Sequence, residues 1–183
     1  TSLSNLNITS GTFTLSEDAY VSNTLVSAGA TLDINNVATL NTSLINNGTT
    51  NLTNNTTLNG NIDNNNNLTL NNSSITGTLD SSGSTTLTDS TVSGAITNTG
   101  DFSSTNSTIV SLDNTTDPLV ETVSLNNTTV SGIITNNSGK IDITNGTTVN
   151  GKLTNNGTLN VSDSTLSDFE NNVLAVLTQD QQE

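Results

Sequence analysis

The chain has 183 residues, enough for one sizeable domain, and carries two Lys, no Arg and no His against sixteen acids, a formal net charge of −14. That balance leaves no basic surface to neutralise phosphate, which excludes a nucleic-acid partner, and it sets the chain against anionic membrane surfaces. With no Cys there are no disulfides or thiolate metal sites, and no apolar run approaches bilayer length, so membrane insertion is not expected.

In chain order, the opening "TSLSNLNITSG" has neither the basic nor the apolar region of a signal peptide. From Gly11 onward a phrase recurs. Gly11 is followed at two and four residues by Phe13 and Leu15, Gly83 by Thr85 and Leu87, Gly139 by Ile141 and Ile143, and Gly157 by Leu159 and Val161; Asn66 takes the Gly place before Leu68 and Leu70. Five or six residues on comes another apolar residue: Tyr20, Leu40, Leu58, Ile75, Val92, Ile109, Val130, Val149 or Leu166. Four further come Leu44, Ile62, Leu79, Ile96, Ile134 and Leu153. The starts Leu25, Leu44, Ile62, Leu79 and Ile96 lie 19, 18, 17 and 17 residues apart.

A fixed period of short alternating segments cut by Gly and Asn is the sign of a solenoid. Alternation of period two predicts short strands with one face inward, and three of them per repeat make one coil of a parallel β-helix. The count predicts about eight coils and a rod on the order of 40 Å long. Gly, Asn, Thr and Ser are poor helix interiors and no period of 3.6 residues appears. The uneven spacing within the repeat speaks against a left-handed hexapeptide helix and for the right-handed form. The fold expected is therefore all-β, a right-handed parallel β-helix over residues 1–169.

Polar residues keep register too. Asn55, Asn72, Asp89, Asn106, Asn127 and Asp163 stand three residues before an aliphatic, with Thr or Ser just before that aliphatic. Asn tolerates left-handed backbone at turns and can bond to amides above and below, so an Asn/Asp ladder is expected there. The Thr column at Thr91, Thr108 and Thr129 is single, which disfavours an ice-binding Thr-x-Thr array. "DNTTDPLVET" is longer than its counterparts and holds the one proline; a solenoid expels such an insertion as a loop, making Asp113 to Glu121, with Asp117 and Pro118, a candidate recognition loop. At the C-terminus, Ser167 and Glu170 read as a capping box and Phe169, Val173, Val176 and Leu177 as one helical face, so residues 170–183 are expected to form a short helical cap or assembly element, or a tail; a further coil is the competing reading.

Enzyme chemistry finds few groups. A lyase needs a cationic base, and Lys140 and Lys152 read as solvated, the first beside an inward Ile and the second in a turn. Asp63 and Asp80 fall on one outer face of adjacent coils, about 5 Å apart, the geometry of a retaining glycosidase pair or a weak Ca²⁺ site. No other acid is expected in their column, where Thr97, Thr135 and Thr154 follow, so the two read as surface acids and no catalytic residue, metal or cofactor is assigned. Phe13, Phe102 and Tyr20 read as core and Phe169 as cap, leaving no exposed aromatic for a sugar. Asn-x-Ser/Thr sequons recur at Asn7, Asn41, Asn47, Asn51, Asn67, Asn72, Asn106, Asn114, Asn145, Asn156 and Asn160.

Strings such as "VSGAITNTG", "LTNNGTLNVSDSTLSDF" and "INNGTTNLTNNTTLNG" resemble the repeats of bacterial surface adhesins, the passenger domains of autotransporters and two-partner-secreted exoproteins of the filamentous-haemagglutinin type. The resemblance runs from Gly11 to Phe169. It implies a secreted or cell-surface, non-enzymatic rod mediating adhesion, self-association or biofilm formation, with partners that are other copies (lateral or end-to-end) or a host or cell-surface receptor. No translocator or secretion domain accompanies the repeats, which implies an excised segment or a small subunit. In the latter case end-to-end stacking would build an extracellular filament.

Overall fold

The computed structural model describes residues 2–172 and 176–180. All regular structure in them is β, arranged as a 13-stranded and a 10-stranded sheet in which every pairing is parallel. Ten strands in the second sheet mean about ten turns of solenoid, against about eight read from the repeat. At roughly 4.8 Å per turn the rod is about 48 Å long.

Each turn has three faces, two of them joined as one bent sheet. On the first face Ala19, Leu40, Leu58, Ile75, Val92, Ile109, Val130, Val149 and Leu166 stack in register. On the second, Thr24, Leu44, Ile62, Leu79, Ile96, Leu112, Ile134, Leu153 and Phe169 do so. The third face carries two inward columns, one running Phe13, Leu32, Thr50, Leu68, Thr85, Phe102, Val123, Ile141, Leu159, Leu177. Aliphatics in these columns away from the ends are shut off from solvent, each worth about 1.5–3 kcal/mol of burial. They form one continuous core along the rod.

Glycine is required where coils come closest at the corners. A Cβ on Gly94 would sit 2.2 Å from the Gly77 carbonyl oxygen, and one on Gly100 2.1 Å from that of Gly83. These contacts are coil-to-coil, so the glycines recur with the repeat rather than with any local turn type.

Four expectations need correction. Tyr20 does not join the inward column; Ala19 pairs with Leu40 there, and the Tyr20 ring stands outward, 55% exposed. A bulge between Tyr20 and Asn23 shifts the register, so Thr24, not Leu25, stacks on Leu44. Phe13 is inward in register but lies in the first coil with no described residue paired on its outer side, and is 40% exposed. The C-terminal helix does not form. Thr165–Asn171 and Val176–Asp180 are strands of a further coil; Phe169 and Leu177 occupy inward columns of two different faces and Val176 points outward, while Val173 lies outside the described residues. Phe169-Glu170-Asn171 repeats the phase of Leu153-Thr154-Asn155, and stacking on that coil outweighs a local capping signal.

Replacing Ile96 by Ala removes a fully buried side chain from the middle of the rod. The loss expected is about 2–5 kcal/mol, read as a lower urea midpoint by circular dichroism. Gly94→Ala should also destabilise, by about 1–3 kcal/mol, although it adds only a methyl group.

Candidate functional site

Two polar ladders run the length of the rod. At the first turn, Asn55, Asn72, Asp89, Asn106, Asn127 and Asp163 all adopt left-handed backbone, with φ between 46° and 62°; Asn145, between the last two, has φ 53°. Short polar side chains tolerate this region. Side-chain amide bonds link Asn72 to Asn55 (3.1 Å) and Asn127 to Asn106 (2.8 Å), whereas the carboxylate of Asp89 cannot donate to its neighbour. The residues just after Asn55, Asn72, Asp89, Asn106 and Asn127, which are Thr56, Ser73, Ser90, Ser107 and Thr128, are buried, as is Thr147 two places after Asn145. The Ser90 hydroxyl donates to the Thr88 carbonyl (2.7 Å) and accepts the Ser73 N–H of the coil before (3.1 Å). Ser107 repeats this with Thr105 and Ser90.

The second ladder lies inside. Asn46, Asn64, Asn98, Asn114, Asn136 and Asn155 are buried beside the second face. The Asn98 amide donates to Asn114 Oδ1 (3.0 Å), Asn114 to Asn136 (3.0 Å), Asn136 to Asn155 (2.8 Å) and Asn155 to Asn171 (2.8 Å). Spare N–H groups go to corner carbonyls such as Gly100 and Thr158. Among the described residues no buried side-chain polar atom is without a partner. The signal for this ladder is the recurring aliphatic-x-Asn triplet (Leu44-Ile45-Asn46, Ile96-Thr97-Asn98, Ile134-Thr135-Asn136), whose period-two phase points Asn inward with the aliphatic. The preference of Asn for turns masks this signal. One sequon, Asn114, is buried in this ladder and inaccessible to a glycosylating enzyme.

Asp63 and Asp80 are paired across adjacent coils and exposed. Their column does gain two further acids: Thr97 pairs with Asp113, and beyond Thr135 and Thr154 the column ends on Glu170. Asp113 lies in the strand Thr108–Thr115 rather than in the loop, since that strand continues to Thr115 before the insertion leaves the rod. The acids face solvent on one sheet without converging, and among the described residues no three His, Cys, Asp or Glu side chains gather to hold a metal ion.

The insertion itself is a compact turn. Leu119 N–H donates to Asp117 Oδ1 (2.9 Å), Glu121 N–H to the Asp117 carbonyl (2.9 Å) and Asp117 N–H to Glu121 Oε2 (2.8 Å). Pro118 starts the turn, and Leu119 and Val120 project from its tip, 91% and 72% exposed. Lys140 pairs with Asp142 on its own strand at 3.2 Å. Lys152 lies in the strand Thr148–Asn155, not in a turn, and pairs with Glu170 one coil on. The hydrogen bond and charge of Glu170 raise the Lys152 pKa above its ordinary 10.5.

Tyr20 borders a groove of about 360 Å³ with Ser22, Asn41, Ser43, Asn59 and Asn61. Among the described residues no helix is long and apolar enough to cross a membrane. No protein-family model, curated protein or solved structure matches this chain. The class of the protein is thus set by its fold alone: it is a parallel β-solenoid with buried asparagine and hydroxyl ladders.

Asn136→Ala breaks the inner ladder at its middle and should cost about 1–3 kcal/mol, whereas Asp63→Asn should change stability by no more than about 0.5 kcal/mol, both measured by urea unfolding. Because the Lys152 pKa is raised on folding, its pairing stabilises the fold below the unfolded value and is lost as pH climbs through the folded one. The melting-temperature difference between the native chain and Lys152→Gln should therefore shrink as pH passes 10.5.

Proposed function

We propose that this chain is an extracellular, non-enzymatic rod acting in adhesion, self-association or biofilm formation. The observation that carries the reading is the division of labour along the solenoid. Inward and corner columns are committed to aliphatics, glycines and hydrogen-bonded ladders, while three long outward faces and the Asp117–Glu121 turn carry polar and apolar groups that the fold does not use. A rod of stacked coils offers an extended surface of this kind to a cell-surface receptor or to another copy. The test is display of the chain on an otherwise non-adherent bacterium, with adherence to epithelial monolayers, cell settling and crystal-violet biofilm as readouts. A several-fold rise in any of these over a non-displaying control, reduced when residues 117–121 are replaced by a short Gly-Ser link, is expected; three flat readouts would sink the proposal.

A second reading, a filament built by end-to-end stacking, is favoured by the surfaces of the two end coils. Leu3, Leu6, Phe13 and Leu15 surround an apolar cavity at one end, and Leu166, Phe169 and Leu177 share a cavity of mixed polarity with Ser164, Thr165 and Gln179 at the other. Flanking coils in a longer chain would cover the same surfaces. Negative-stain electron microscopy of the chain at micromolar concentration separates the two: uniform filaments one solenoid wide support stacking, and discrete short rods exclude it.

A further inference from the structure

We infer that the groove beside Tyr20 binds a neutral, extended oligosaccharide. The adhesion reading provides its setting, and the groove names a ligand class for it.

Ala19 fills the inward site of its coil, which turns the next residue outward; Tyr20 pairs with Ser2 on one side and Asn41 on the other, and Asn41 with Asn59. It is the one Tyr of a chain with no Trp. A ring more than half exposed gains nothing from the core, and a flat aromatic body with a polar tip is the side chain that best covers the apolar face of a pyranose while bonding at its rim. The bulge after Tyr20 and the glycine at Gly60, whose Cβ would lie 1.7 Å from the Thr42 carbonyl oxygen, bend the sheet here. That bend shapes the groove along the rod axis.

Polar groups in the groove are held in place. Asn41 Oδ1 accepts from Asn59 Nδ2 (2.7 Å), Asn59 Oδ1 accepts from the Thr76 hydroxyl (2.6 Å), and Asn61 Oδ1 accepts the Thr78 N–H (2.9 Å). With their oxygens committed, the NH₂ groups of Asn41 and Asn61 make no hydrogen bond among the described residues. They are oriented donors without partners, one coil and two strand positions apart, and suited to separate hydroxyls of an extended ligand. None of the residues lining the groove is charged, in a chain of net charge −14, so a neutral ligand fits and a polyanion does not. A peptide strand would need a free sheet edge, and the strands here are paired on both sides. An apolar platform with a few convergent polar groups is the ordinary make-up of a small-ligand site.

The single Tyr makes the site directly observable, because tyrosine emission reports on this groove alone. The chain is titrated with cellotetraose and with tetra-N-acetylchitotetraose as neutral probes, and with tetragalacturonate as the anionic one. A saturable change with at least one neutral probe and none with tetragalacturonate is expected, with a Kd between about 0.1 and 10 mM. By calorimetry, Tyr20→Phe should keep the binding, and Tyr20→Ala and Asn61→Ala should each weaken it about tenfold or more, which corresponds to about 1.4 kcal/mol, with unchanged melting curves. No response to either neutral probe up to about 10 mM overturns the inference, as does binding that survives Tyr20→Ala or an equal response to tetragalacturonate. Oligosaccharide binding without cell adherence supports the groove and removes the adhesion reading; adherence without oligosaccharide binding overturns the groove and leaves adhesion standing.

Discussion

The amide-to-amide bond between buried asparagines of successive coils is the contact on which the rest of this rod depends. A coil must turn sharply three times, and each turn strands backbone carbonyls inside the molecule where water cannot reach them. The inner asparagines answer this by donating twice, once to the next asparagine and once to a corner carbonyl. All of these ladder bonds point the same way along the axis, each amide giving to the following coil. One such bond contributes only about 1 kcal/mol, yet an unsatisfied partner costs as much or more, so the column tolerates few gaps. Where Ser81 interrupts it, the Thr85 hydroxyl takes over, 2.8 Å from Ser81 Oγ and 3.1 Å from Asn64 Nδ2. Thr50 likewise bonds to Asn46 Oδ1 at 3.0 Å. These two threonines occupy apolar-column sites, and the neighbouring ladder accounts for their burial.

The same register governs charge. Acids on the outer faces mostly stand beside a donor: Asp33 accepts from Asn51 and Asp142 from Asn160, each at 2.7 Å, and Asp101 receives the Thr122 N–H at the same distance. Among the described strands Asp63 and Asp80 are the one acidic pair set side by side. A highly acidic chain thus avoids stacking like charges on one another, a repulsion that parallel in-register coils would otherwise repeat at every turn.

Architecture was legible in the sequence because a solenoid writes every contact at one fixed period. The Gly-anchored columns and the aliphatics Leu58 to Val149 pair as their spacing implies, and the turn asparagines from Asn55 to Asp163 take left-handed backbone. What was not legible depends on phase within a coil. Ala19, not Tyr20, holds the inward site opposite Leu40, which puts Tyr20 on the surface, and the bulge that follows moves Thr24 rather than Leu25 onto Leu44, since alternation of period two reverses the face of everything beyond a slip. The inner asparagines were hidden by the habit of reading Asn as surface or turn. The helical reading of Phe169 to Leu177 failed because a capping box is a local signal, and here Glu170 is drawn to Lys152 and Asn171 into the ladder, both across coils.

The outward columns are where such a fold can acquire a function. An inward aliphatic, a corner glycine or a ladder asparagine is held by neighbours on both sides, so a change there disturbs three coils at once. An outward residue answers only to its strand neighbours, and surface substitutions of that kind cost little. Tyr20 fits this logic: the coil keeps its inward contact through Ala19, and the bulge that follows adjusts the spacing without breaking the column on either side. The Asp117–Glu121 turn is the same freedom used differently, a detour that rejoins the register at Val123. Any chemistry placed on the outward positions is therefore separable from stability, because the hydrogen-bond ladders that hold the coils together leave those positions free.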